Sequence, residues 1–233
     1  REPAQYFQRL RSRCPGTWIV AEKILSPGER LPSDWPIDGT TGYDFMNTVT
    51  GVFIDPDGEA PLTTFYNEVW SDDADGFPGR LFAAKRQVLT ELLGSELNRL
   101  TNLALTICER HRRHRDYTRY ELHSALQEIA TCFPVYRSYV RYPGSTVSDA
   151  DRRVIASAVE LAGVQRPDLD PELLHFLRDV LLLRVPGALE GELAMRFQQL
   201  TGPAMAKGFE DTVLYRYTRF VARLAEEMDW SWA

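Results

Sequence analysis

Apolar residues change their rhythm twice along this chain. Over residues 1–14, Tyr6, Phe7 and Leu10 recur at helical spacing among basic and polar residues, which predicts a short amphipathic helix. Pro15-Gly16 ends it. Thr17–Leu25 is short, rich in β-formers and nearly all apolar, the pattern of a strand buried on both faces, and Ser26-Pro27-Gly28 closes it. From residue 26 to 76, Pro, Gly, Asp and Thr dominate, with aromatic residues scattered among them. This predicts ordered loops with short helices near Tyr43–Thr48 and Pro61–Val69, since a long irregular stretch is usually a binding loop or a linker and the aromatics favour order.

From about Phe77 the period becomes that of helices. Leu81, Phe82, Val88, Leu89, Leu92, Leu93, Leu100, Leu103 and Ile107 form an apolar stripe, with Gly94 placed to kink or divide it. Thr118 followed by Glu121 reads as a capping box, so a second helix starts there. A third starts near Ser148. A fourth starts at Asp170 with Pro171 in the first position and Leu173, Leu174, Leu177, Val180 and Leu181 on one face. Two more are expected over Leu189–Leu200 and Glu210–Met228. No internal repeat or low-complexity segment is visible. The expected class is mainly α with some α/β.

Composition narrows this picture. The 233 residues suffice for one large domain or two smaller ones. The 44% apolar and 26% charged content is that of an ordinary globular protein. No apolar run approaches the roughly 18 residues of a membrane span, and Arg1–Arg13 lacks the apolar core of a signal peptide. The chain opens on Arg1 and not on a methionine, which reads as an internal fragment. A net charge of −6 counts against nucleic-acid and anionic-membrane partners, both of which need a positive field. Cys14, Cys108 and Cys132 are odd in number and widely spaced, which fits reduced thiols in a cytoplasmic protein.

Glu22 is the discordant residue, a carboxylate inside an apolar strand signal. A buried, unpaired carboxylate is costly, so Glu22 is salt-bridged to Lys23, placed on an edge strand, or functional. Acids at the C-terminal ends of barrel strands are where catalysis is normally placed. His111 and His114 have HxxH spacing, but without further ligands the run Arg110–Arg115 reads as a solvated basic helix end. Asp72, Asp73 and Asp75 before Gly76 hint at a calcium loop, yet Ser71 and Phe82 occupy its first and twelfth positions, so no metal site is expected. Serine-nucleophile, dinucleotide and P-loop motifs are lacking, and no cofactor is expected. Trp35, Tyr43, Phe45, Tyr66 and Trp70 could stack on sugar rings or simply fill a core beneath the loops.

Longer stretches carry a resemblance. Ala21–Pro32, Trp35 and Gly39–Phe45 are similar to the signature of maltooligosyltrehalose synthases, of the alpha-amylase clan. So are Phe133–Arg137, Arg196–Pro203, and Met205–Thr212 with Tyr215-Arg216-Tyr217, all in that family's order. The resemblance implies a partial (β/α)8 barrel segment followed by a helical insertion. Its boundaries are 1–76 for the barrel segment with the fifth strand and substrate loops, 77–188 for the insertion, and 189–233 for a return toward the barrel. It implies conversion of the reducing-end α-1,4 bond of a maltooligosaccharide or α-glucan into an α,α-1,1 bond, in trehalose biosynthesis. Glu22 falls at the general acid/base position, and Trp35, Tyr43, Asp44, Tyr136, Lys207, Glu210, Asp211 and Tyr215 are the implied substrate contacts.

Two acids that the family uses are not in the chain. The nucleophile motif would precede Arg1, and a His-Asp-Thr-Lys motif would follow residue 233, so the isolated chain is expected to be inactive. From Phe220 on, through Met228–Ala233, the resemblance stops. Two other readings stay open: a non-catalytic helical interaction module, and an α-glucan hydrolase with a looser acceptor pocket.

Overall fold

The computed structural model describes residues 2–69, 76–144 and 147–217. It is mainly helical and divides into two compact units, one built on Arg1–Ala74 and the other on Asp75–Arg216. The first boundary falls two residues before the expected one. Residues 189–216 lie with the helical unit, and Tyr217 belongs again to the first.

In the first unit, α1 (Pro3–Arg13) begins with proline in its first turn and ends with Arg11 and Arg13 in its last, where cations suit the helix dipole. The apolar run that follows contains only a two-residue strand, β1 (Val20–Ala21), paired in parallel with β2 (Gly39–Thr40). It is covered on one face, not two. Ile19, Ala21 and Lys23 point inward, while Trp18, Val20 and Glu22 point outward, with Trp18 74% exposed. With one partner strand in the described residues, only every second side chain finds cover. Beyond β2 come α2 (Tyr43–Gly51), a 3-10 turn over Pro56–Gly58 and α3 (Glu59–Val69), close to the short helices predicted there. They leave Phe45, Met46, Val52, Phe53, Leu62 and Phe65 exposed.

The second unit is a helical bundle. The long apolar stripe divides at Leu92-Leu93 into α4 (Gly76–Glu91) and α5 (Gly94–Arg110). Then come α6 (Arg119–Thr131), α7 (Asp149–Gln165), α8 (Pro171–Leu181) and α9 (Ala188–Met205). The caps form as their chemistry dictates. Thr118 and Ser148 each complete a reciprocal box with the residue three positions on, and Asp170 accepts from the Glu172 amide at 2.8 Å. α5 packs on α6 and α9, α8 on α9, and α7 on α6 and α8. Leu89, Leu97, Ile107, Leu122, Leu126, Ile129, Leu177 and Leu193 are fully buried between them. Each such side chain stabilises the fold by about 1.5–3 kcal/mol.

The expected gap after Leu200 does not exist. α9 runs through Pro203 and continues as an eight-residue π-helix, Ala206–Val213, and a last turn, α10 (Leu214–Arg216). Leu200, Ala204, Met205, Phe209 and Val213 are all buried along it, and that burial overrides the local Gly202-Pro203 signal. The rest of the helix predicted over Glu210–Met228 lies outside the described residues. So do Asp72, Asp73, Asp75 and Trp70.

Candidate functional site

The candidate residues fall in both units, and each group is built up within its own. In the first unit, Arg11 holds the sheet together. Its guanidinium donates to the carbonyls of Thr17 (2.5 Å) and Pro36 (3.0 Å) and to Asp38 Oδ2 (2.7 Å). The same carboxylate oxygen accepts the Ile19 amide at 2.7 Å. That backbone hydrogen bond, then the Arg11 contact, holds the Asp38 carboxyl below the usual carboxylate range. The main chain completes the pairing, with the Asp38 amide on the Ile19 carbonyl (2.7 Å) and Thr41 on Ala21 (3.0 Å).

Because β1 and β2 are parallel, Glu22 and residues 41–44 leave the sheet at one end, the C-terminal end of both strands. Glu22 is exposed there. Its expected partner Lys23 points the other way, is 7% exposed, and donates to Glu29 Oε1 at 2.6 Å and to the Ile24 carbonyl at 2.9 Å. Glu29 also accepts the Ser26 amide (3.0 Å), so the ion pair closes the turn after β1. No other described residue donates to the Glu22 carboxylate. Of the three readings of Glu22, the Lys23 salt bridge is thereby excluded.

At the same edge Thr40 Oγ1 accepts from the Gly42 amide (3.1 Å) and donates to Asp44 Oδ1 (2.7 Å). Gly42 has φ 97°, a conformation that favours glycine, and it turns the chain into α2. Tyr43 and Asp44 stand exposed in the first turn of that helix. Trp35 is a core residue, 8% exposed, with its ring 5.1 Å from Phe7 of α1.

In the second unit the segment after α6 is held on three sides. Lys85 donates to the Phe133 carbonyl (2.8 Å), Gln198 to the Val140 carbonyl (3.0 Å), and Asp151 accepts the Tyr139 amide (2.7 Å). This fixes Tyr136, whose hydroxyl donates to the Glu210 carboxylate across 74 residues of sequence. Glu210 lies on the π-helix, together with Lys207 and Asp211, which pair at 2.5 Å and are half-exposed. That hydrogen bond raises the Lys207 ammonium above the ordinary lysine value. π-turns are rare and recur at functional sites. Tyr215, in α10, is 82% exposed.

So the fold joins Tyr136 to Glu210 and Lys207 to Asp211, and it brings Glu22 and the Thr41–Asp44 turn to one end of the sheet, while Trp35 lies in a core. Sequence reasoning missed Lys85, which is 1% exposed. The signal was present: Leu81, Lys85 and Leu89 share one face at four-residue spacing. The HxxH pair also differs from a purely solvated end. Arg112, Arg113 and Arg115 are solvated, but the His114 ring stacks on Phe176 at 3.9 Å and His111 lies 3.5 Å from Glu190. No set of three metal-ligating side chains occurs among the described residues, and no described helix is long and apolar enough to cross a membrane.

No model of a known protein family matches the chain. Curated proteins do. A Mycobacterium tuberculosis (strain H37Rv) protein described as a maltooligosyl trehalose synthase is 33% identical over 222 residues, 95% of this chain and 26% of that protein. Among solved structures, maltooligosyltrehalose synthase from Arthrobacter ramosus superposes with a TM-score of 0.72 at 32% identity, covering 94% of this chain and 26% of its own. A glycosyltrehalose synthase (DSM5389) gives 0.66 at 26% identity, with 94% and 24% covered. The chain spans about a quarter of the length of the relatives it matches. In sequence and in fold it is related to the maltooligosyltrehalose synthases, as the counterpart of that quarter.

Proposed function

We propose that this chain supplies the acid/base and part of the acceptor-sugar site of a (1→4)-α-D-glucan 1-α-D-glucosylmutase. The enzyme turns the reducing-end α-1,4 bond of a maltooligosaccharide into an α,α-1,1 bond, in trehalose biosynthesis. One observation carries this. Glu22 stands exposed beyond the C-terminal end of a parallel strand, with Lys23 committed elsewhere, in a chain matched to synthases over 95% of its length. We read β1 as the fifth strand of a (β/α)8 barrel, where an acid in this position faces substrate, and the helical unit as an insertion in it.

The chemistry is the retaining two-carboxylate scheme. Glu22 gives its proton to the glycosidic oxygen as the nucleophilic carboxylate bonds to the anomeric carbon and the terminal glucose leaves. The glucose turns without escaping, and Glu22 takes a proton from its anomeric hydroxyl as that oxygen attacks the same carbon and displaces the carboxylate. Tyr43 offers a flat face to a sugar and Asp44 a hydroxyl acceptor; the Tyr136–Glu210 and Lys207–Asp211 pairs offer further polar contacts. The nucleophile and the third acid come from other segments of the longer protein, so the chain alone is inactive. The three unpaired thiols support a cytoplasmic setting.

The test is Glu22→Gln in the full-length protein with maltopentaose as substrate. Formation of trehalose-ended product falls by about 10²–10⁴-fold or more. A variant retaining most of its rate removes Glu22 from the mechanism. Release of free glucose as the main product would make the enzyme a hydrolase.

A further inference from the structure

The Tyr136–Glu210 hydrogen bond joins two segments that have no sequence continuity, and a single buried side chain touches both. Lys85 Nζ donates to the carbonyl of Phe133, three residues before Tyr136. Its stem lies against Gly208, two residues before Glu210, so closely that a Cβ on Gly208 would sit 2.6 Å from Lys85 Cγ and 3.0 Å from Lys85 Cα. The contacts close a ring: Lys85 to Phe133, along the chain to Tyr136, across to Glu210, back to Gly208 and to Lys85 again. Neighbouring bonds stiffen it. Arg86, next on α4, holds Glu128 of α6 at 2.7 Å, and Phe77 of α4 meets the Phe209 ring at 5.9 Å.

A lysine is a costly way to fill this space. Burial penalises its charged form, and Lys85 has one hydrogen-bond acceptor, the Phe133 carbonyl. A methionine would fill the volume without that cost and without the bond. What lysine adds is a long stem with a donor at its tip, able to fix a carbonyl on one side and a backbone on the other.

We propose that Lys85 is a positioning residue, setting the Tyr136–Glu210 pair by holding Phe133 and Gly208 at fixed separation. This rests on the reading above, in which that pair contacts the glucan. Lys85 touches no substrate.

The experiment is a double-mutant cycle in the full-length protein, with Lys85→Met and Tyr136→Phe alone and together. It reads kcat/KM on maltopentaose in every member and, in the parent and Lys85→Met, the fluorine resonance of 3-fluorotyrosine placed at position 136. Each single variant lowers kcat/KM by about tenfold or more, the worth of a hydrogen bond to a charged group. The double variant falls no more than about twofold below the worse single, because both changes break the same pair. Losses that multiply, with an unmoved resonance in folded Lys85→Met, overturn the proposal. If Tyr136→Phe retains full activity, the glucan-contact reading fails while the resonance still tests Lys85. Should Lys85→Met not fold, Gly208→Ala displaces the stem from the opposite side. It must shift the resonance, and an unmoved signal in that folded variant overturns the proposal.

Discussion

The helical unit should become more stable as the medium becomes more alkaline, up to about pH 9. Three buried groups decide this. Burial lowers the Lys85 ammonium from 10.5 to about 7, and raises the Cys108 and Cys132 thiols from 9.0 to about 12. Below pH 7 Lys85 is protonated in both states, and the folded state bears the full cost of burying its charge. Between pH 7 and 9 the folded lysine has released its proton and the unfolded one has not. The unfolded chain then binds the extra proton, so stability rises with pH, by roughly 3 kcal/mol over the window. Above pH 9 the unfolded thiols ionise while the folded ones stay protonated. Two groups now oppose one, and stability falls by about 1.4 kcal/mol per unit. Burial lowers the His114 and His123 imidazoles too, which adds a rise of the same sign that fades above the ordinary histidine value. Residues 75–216 contain no tryptophan. Urea unfolding followed by circular dichroism at 222 nm reads chiefly this unit, which holds most of the helix, and the midpoint should rise from pH 7 to 9 and then decline. Lys85→Met should abolish the rise and keep the decline. A flat midpoint between pH 7 and 9, or an equal rise in Lys85→Met, refutes the reasoning.

Other perturbations separate the contributions of caps, core and anchors. Thr118→Ala removes the side chain at the heart of the α6 capping box and should cost about 1 kcal/mol in the same urea assay; an unchanged midpoint would show that the box contributes nothing. Leu177→Ala, at a fully buried position, should cost about 2–5 kcal/mol by the same measurement, and a smaller loss would mean that the bundle closes over the void. Arg11→Ala removes three hydrogen bonds that tie α1 to the Thr17 and Pro36 carbonyls and to Asp38. Its thermal transition by tryptophan emission should move down by an amount equivalent to about 1–3 kcal/mol, with the larger part of the helical signal, which comes from the second unit, unaffected.

What could be read from sequence was local chemistry. Thr118, Ser148 and Asp170 are oxygen-bearing residues at helix entrances, and each caps through bonds within three residues, so no tertiary knowledge was needed. The gap expected after Leu200 is closed because the burial of Leu200, Ala204, Phe209 and Val213 outweighs the local helix-breaking propensity of Gly202-Pro203. The extent of the strand around Glu22 was not legible, since its pairing partner is Gly39-Thr40, nearly twenty residues on, and an apolar run does not reveal how many faces are covered. For the candidate site, the motif positions indicated which residues to inspect. Whether Tyr136 meets Glu210, or Trp35 is buried against Phe7, depends on contacts made across helices. Lys85 was overlooked because lysine is a surface residue by habit, although its place on an apolar stripe marked it.

The π-helix carries a consequence for how this segment can vary in length. An α-helix turns about 100° per residue, so its side chains keep a phase along the axis. Ala206–Val213 winds more widely than the α-helix on either side, and the wide winding shifts that phase once, before Tyr215 and Arg216. Deleting any single residue between 206 and 213 would let ordinary winding return, and the lost residue would offset the lost wide turn, so Tyr215 and Arg216 would keep roughly their present orientation. A codon lost here would therefore be absorbed by the helix, whereas one lost from α9 would turn everything after it by about 100° toward new neighbours.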